Sequence, residues 1–83
     1  MQFNCKIYIR PREDILDPQG DTIAKALANL SFSGVDEVIV GRYMILRIEA
    51  ASTKEARSTV DEMCKKLLAN PVTEEYEIEI TKT

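Results

Sequence analysis

Hydrophobic and polar residues alternate from Phe3 to Ile9, with Phe3, Cys5, Ile7 and Ile9 on one side and Asn4, Lys6 and Tyr8 on the other. Successive side chains of an extended backbone point to opposite faces, so this period of two predicts a half-buried strand. The alternation stops at Arg10-Pro11-Arg12-Glu13-Asp14, where Pro11 lacks an amide hydrogen and holds its predecessor extended. A polar loop is predicted there. In Asp17-Pro18-Gln19-Gly20 the carboxylate can accept from the free amides of a helix start, and proline suits the first helical position. Ile23, Ala26, Leu27 and Leu30 then recur at helical spacing up to a stop at Ser31-Phe32-Ser33-Gly34, with Phe32 expected to tuck under the sheet.

Val35, Val38, Ile39 and Val40, then Gly41-Arg42, then Tyr43 to Ala50 read as two strands around a tight reversal. In the second strand Met44, Leu46 and Ile48 share one face, yet Tyr43 and Ile45 make the opposite face apolar as well. Ser52-Thr53-Lys54-Glu55 fits the reciprocal capping pattern of a helix start. Ala56, Val60, Met63, Cys64 and Leu67 form the buried stripe of that helix. Arg57 with Asp61, Asp61 with Lys65 and Glu62 with Lys66 are spaced as ion pairs on its solvent side. Asn70-Pro71 ends it, and Tyr76, Ile78 and Ile80 alternate with Glu75, Glu77, Glu79 and Thr81 in a last strand.

The order βαββαβ predicts an α+β fold over residues 1–83 as a single domain. It is a two-layer ferredoxin-like sandwich, a four-stranded antiparallel sheet with two helices on one face and the first and last strands adjacent. Charge supports that adjacency, because Lys6 and Arg10 point outward from the first strand and three glutamates point outward from the last.

Composition narrows the function. With 45% hydrophobic and 30% charged residues the chain is globular, and at 83 residues its core must be thin. A net charge of −3 with scattered basic residues offers no cationic surface for nucleic acid. No apolar run is long enough for a membrane span, and the N-terminus lacks a signal-peptide profile, so the expected compartment is the cytoplasm. Cys5 and Cys64 read as two buried, reduced hydrophobes rather than a disulfide or half of a metal site.

Histidine, the commonest base near neutral pH, is absent, and the three glycines stand alone without a nucleotide-binding fingerprint. The acidic run Glu74-Glu75, Glu77, Glu79 reads as a soluble strand edge rather than a cation site. The expectation is a chain with no catalytic, cofactor-binding or metal-binding residues, which works by binding. Its outward apolar face, Tyr43 and Ile45 joined by Tyr8 and Ile39, predicts a sheet-to-sheet homodimer.

Several segments together resemble a known family: Leu16-Asp17-Pro18-Gln19-Gly20 with Ala26-Leu27 and Leu30, then Val38, Gly41-Arg42-Tyr43, Glu49-Ala50, Met63-Cys64, and Leu67 to Val72 with Glu74 and Tyr76. The chain is similar over nearly its whole length to the PurS-type small subunit of phosphoribosylformylglycinamidine synthase, an enzyme of de novo purine synthesis. It departs where Ser31 replaces the family's usual glycine and Thr73 its usual isoleucine.

The resemblance implies a bridging subunit of an ATP-dependent glutamine amidotransferase (a ligase complex), whose glutaminase subunit releases ammonia and whose large synthetase subunit consumes it. ATP, Mg and glutamine would serve the complex, and none would bind this chain. With the apolar outer face, the expected self-assembly is a homodimer or a dimer of dimers. Contacts to partners are placed at Arg12, Asp17, Gln19, Gly20, Arg42, Asn70 and Glu74. Two other classes share the strand order. An ACT-like regulatory domain would bind amino acids at a dimer interface, although such modules usually hang on an enzyme and this sequence shows no linker. An acylphosphatase-type enzyme would need a glycine-rich anion cradle after the first strand, which is missing.

Overall fold

The computed structural model describes residues 1–83. Its centre is strand β1, Gln2–Pro11, which runs two residues further than the alternation predicts, up to the proline that ends it. β2, Arg42–Glu49, pairs antiparallel with one side of β1, and β3, Glu74–Lys82, pairs antiparallel with the other, so the sheet order is β2-β1-β3. The first and last strands are thus neighbours, as their charges required. Arg10 Nε lies 2.9 Å from Glu75 Oε1 and Arg10 Nη2 3.3 Å from Glu77 Oε1.

Helix α2, Thr53–Met63, starts on the predicted cap: Ser52 Oγ accepts from the Glu55 amide at 3.1 Å, and the Glu55 carboxylate accepts from the Ala51 amide at 3.2 Å. It continues as a π-helical turn over Cys64–Leu68, closed by the Ala69 amide donating to the Cys64 carbonyl. That wider turn corrects one expectation. Ala56, Val60 and Cys64 are buried four residues apart, but the extra residue rotates Leu67 into solvent, 82% exposed, and brings Leu68 to the core in its place. Arg57 is also diverted from its predicted partner. It donates to the Ile78 carbonyl at 3.1 Å, while Asp61 takes Lys65 at 3.0 Å and the Tyr76 hydroxyl.

The core consists of the inward side chains of β1, Phe3, Cys5, Ile7 and Ile9, together with Ala50, Ala56, Val60, Cys64 and Ala69. Both cysteines are buried free thiols, and burial raises the pKa of each. Met44, Leu46 and Ile48 of β2 and Tyr76, Ile78 and Ile80 of β3 flank this core half-buried.

Two larger expectations are corrected. Residues 35–40 form no strand, so the sheet has three strands and the predicted hairpin is absent. Gly41 does not reverse the chain. It runs into β2 alongside the end of β1, so close that an added Cβ would lie 2.3 Å from the Ile9 carbonyl oxygen. The other correction is helix α1, Pro18–Asn29, which does not share the helical layer with α2. Within it only Gly20 is buried; Ile23 remains 38% exposed, and beyond its end Leu30 is 68% exposed and Phe32, expected under the sheet, 59%. The cause lies at its start, where Asp17 fastens it to residues 38–40 rather than to the sheet.

Residues 12–41 therefore form an arm beyond one end of the sheet. The molecule measures 51 × 27 × 15 Å, with a radius of gyration of 16.4 Å. A closed domain of this length has a radius near ~12 Å.

Candidate functional site

The sheet end that faces the arm gathers most of the residues singled out from the sequence. β1 delivers Arg12, β2 opens with Arg42, and β3 opens with Glu74. Arg42 Nη2 lies 2.6 Å from Glu74 Oε1, which also accepts from the Asn70 amide at 2.8 Å. Asn70 Oδ1 in turn accepts from the Val72 amide at 3.0 Å, an Asx turn that shapes the approach to β3. Arg12 Nη2 donates to the Pro71 carbonyl at 2.9 Å, and the Arg12 amide donates to the Thr73 carbonyl at the same distance. Arg12, Arg42, Asn70 and Glu74 thus build one exposed corner, held by hydrogen bonds that join three strands and a turn.

Asp17 and Gly20 form a second group. Asp17 Oδ1 accepts from the Gly20 amide at 3.0 Å and Oδ2 from the Val40 amide at 2.8 Å. These two bonds to the charged form, Val40 first, lower the Asp17 pKa. A Cβ at Gly20 would lie 2.0 Å from the Val38 carbonyl oxygen, so only glycine lets the helix start meet this segment. Gln19 is exposed beside them.

An open cavity of about 760 Å³ lies beside the second group, lined by Asp17, Gly20 and Ile39 and reached from the corner by Arg12 alone. Its remaining polar lining is largely acidic, with Glu13, Asp21, Asp36 and Glu37. The sequence pattern did not point to these four residues, since nothing in their spacing places the loop after β1 opposite residues 36 and 37. The site has no unpartnered buried polar side chain aimed at a ligand. It is an exposed, charged surface whose polar groups are largely bonded to one another.

On the outward face of the sheet Tyr8 and Tyr43 stand opposite each other in register and stack with ring centroids 5.0 Å apart. Ile45 follows on the same face at 58% exposure. Ile39, grouped with them from the sequence, lies instead on the arm, because the strand that would have carried it to the sheet does not form. A third feature escaped the sequence reading. The Tyr76 hydroxyl donates to Asp61 Oδ1 at 2.5 Å across the α2–β3 seam, which pushes the phenol pKa up to about 12.

Comparison with known proteins agrees with this architecture. Residues 4–82 match the model of the family PurS: Phosphoribosylformylglycinamidine (FGAM) synthase. The chain is 41% identical over 78 residues to the phosphoribosylformylglycinamidine synthase subunit PurS of Bacillus subtilis, covering 94% of this chain and 92% of that one. It is 40% identical over 79 residues to the Synechocystis subunit of the same name, covering 95% and 79%. Among solved structures, Methanocaldococcus jannaschii PurS superposes with a TM-score of 0.87 at 37% identity, covering 98% of each chain. A chain of PurLQS from Thermotoga maritima gives 0.89 at 32% identity, covering 98% of this chain and 99% of that one. At such coverage the displaced arm is part of the likeness. The ACT-like alternative finds no support among these matches. The chain belongs to the PurS family of phosphoribosylformylglycinamidine synthase subunits.

Proposed function

We propose that this chain serves purine biosynthesis in the cytoplasm as the small subunit that holds a glutaminase and an ATP-dependent synthetase together, so that ammonia released at one site reaches the other. ATP, Mg and glutamine belong to those partners, and this chain supplies surfaces. The observation that carries the reading is the near-complete match, 98% of this chain, to a chain of the Thermotoga maritima PurLQS structure. The absence of histidine and the hydrogen-bonded, charged character of the Arg12–Arg42–Asn70–Glu74 corner support it. That corner, with Asp17, Gln19 and Gly20 beside the cavity, is the surface assigned to the larger subunits. Holding two active sites together shields a diffusible intermediate from loss, which accounts for a subunit with no chemistry of its own.

The outward face, Tyr8, Tyr43 and Ile45, is assigned to contact with a second copy of the chain, since burying each such side chain contributes roughly 1.5–3 kcal/mol. The test of the bridging role is size-exclusion chromatography of this chain with the glutaminase and synthetase, with glutamine and ATP-Mg present. Co-elution and glutamine-dependent turnover that requires this chain are expected. Unchanged turnover in its absence would overturn the role.

A further inference from the structure

β3 forms an open edge of the sheet, and its pairing with β1 fixes which groups that edge presents. The Arg12 amide donates to the Thr73 carbonyl at one end of the pairing, and the Thr83 amide donates to the Gln2 carbonyl at the other. The register between these ends is unbroken, from Pro11 opposite Glu74 to Phe3 opposite Lys82. Odd-numbered residues of β3 therefore turn their backbone groups to β1, while Tyr76, Ile78 and Ile80 turn theirs outward. No strand lies beyond them. An edge of this length is a template for another strand.

Two features oppose such pairing. The first comes from α2, which lies over the β3 side of the sheet. Asp61 accepts from the Tyr76 hydroxyl, and Arg57 Nη1 donates to the Ile78 carbonyl at 3.1 Å. A helix rises about 6 Å over four residues and a strand about 6.6 Å over two, so these contacts run in step along the seam. Nη1 of Arg57 thus occupies the position that the amide nitrogen of an added strand would take. The second feature is the row Glu75, Glu77 and Glu79 on the outward face. In an antiparallel pairing of two β3 edges, residues with outward-turned backbone groups meet their like, so the odd-numbered residues also meet one another. Every such register centred from Tyr76 to Glu79 sets glutamate opposite glutamate, and like charges directly opposite are destabilising.

We infer that Arg57 and the glutamate row keep the β3 edge closed to a second copy of this chain, so that self-association does not run on from sheet to sheet through β3. Arg57 removes the central acceptor that an added strand needs, and the glutamates repel the one strand that every copy carries. Neither device is part of the core, since Arg57, Glu77 and Glu79 are all exposed. Arg57 also explains why the helix residue spaced to pair with Asp61 turns away from it: its guanidinium reaches the strand edge instead. The inference does not depend on the bridging role proposed above.

The test compares the wild type with Arg57→Met, which keeps an aliphatic stem over the seam, with Glu77→Thr/Glu79→Thr, and with all three changes together. Light scattering over a concentration series is read beside amide hydrogen exchange. The wild-type mass is expected to level off with concentration while the Ile78 and Ile80 amides exchange freely. In the triple variant the mass is expected to keep rising and those amides to slow by roughly tenfold or more, with the Phe3 to Ile9 amides as protected as before. The two partial variants are expected to fall between. A triple variant with wild-type mass and free edge amides overturns the inference, and so does a wild type whose Ile78 and Ile80 amides slow as concentration rises. A rising mass that leaves those amides free places the new contact elsewhere and overturns it too. If Arg57→Met also exposes the β1 amides, the glutamate variant decides alone, and an unchanged mass there overturns the inference.

Discussion

The chain contains two amphipathic helices of nearly equal length with opposite fates. α2 buries Ala56 and Val60, and the π turn behind it buries Cys64, against a strand that is itself fully covered on that face. α1 has an equally regular apolar stripe and buries only Gly20. The difference does not come from the helices. It comes from what their caps hold on to, since Ser52 and Glu55 close a local box that leaves α2 free to settle on the sheet, whereas the Asp17 carboxylate reaches past its own helix to Val40. A capping residue can thus decide tertiary placement as well as helix start. An amphipathic stripe records that a helix has an apolar face, and not what that face packs against.

The sharpest way to separate the two regions is to remove equal amounts of side chain from each. Ile7→Ala opens a cavity at a position with no exposed surface, and a loss of about 2–5 kcal/mol is expected in chemical unfolding. Ile23→Ala on the arm is expected to leave the unfolding of a single chain nearly unchanged. Equal losses at the two positions would show that α1 is packed within its own chain.

The same contrast governs how much could be read from the sequence. The period-two runs of β1 and β3, the cap at Ser52, the β1–β3 pairing from Arg10 and the glutamates, and the cap at Asp17 all come from local spacing or from one charge match, and all are present in the fold. Residues 35–40 and the placement of α1 failed for a shared reason. Both depend on whether Gly41 reverses, and a Gly-Arg pair between apolar runs is compatible with a turn and with straight entry into β2. The π turn at Cys64 was illegible because one extra residue per turn leaves no compositional trace, yet it exchanges Leu67 for Leu68 in the core. Arg12, Arg42, Asn70 and Glu74, picked out separately in the sequence, meet at one corner of the fold, whereas the acidic wall of the cavity depends on where the arm lies.

A smaller effect tests the lock between arm and sheet. The Asp17 pKa is lowered because the ionised carboxylate accepts from Val40 and Gly20. A group with a depressed folded value contributes stability that is fully present above its unfolded value, about 3.9, and is lost as pH falls through the folded one. The Val40 and Gly20 amide resonances are expected to hold steady from neutral pH down to that value and to shift together below it. Asp17→Asn keeps one acceptor oxygen, which cannot serve both amides equally, so it is expected to loosen the arm at all pH values while the β1 and α2 amides remain protected from exchange. Loss of protection in β1 and α2 together with the arm would mean that the two regions fold as one unit.

The smallest effect concerns the far end of α1. Ser31 sits at φ 71, with its amide donating to the Ala28 carbonyl and the Phe32 amide donating to the Leu27 carbonyl. That pair of bonds is the Schellman termination, whose left-handed residue is normally glycine because a Cβ there crowds the following carbonyl. Serine therefore holds the turn under strain. Glycine would relieve that strain but has more freedom to lose on folding, so the two effects partly offset. Ser31→Gly is expected to stabilise the helix end by about 0.5–1 kcal/mol, seen as slower exchange of the Ser31-position and Phe32 amides. A destabilised variant would mean that the serine hydroxyl supplies an interaction at this turn that outweighs the strain.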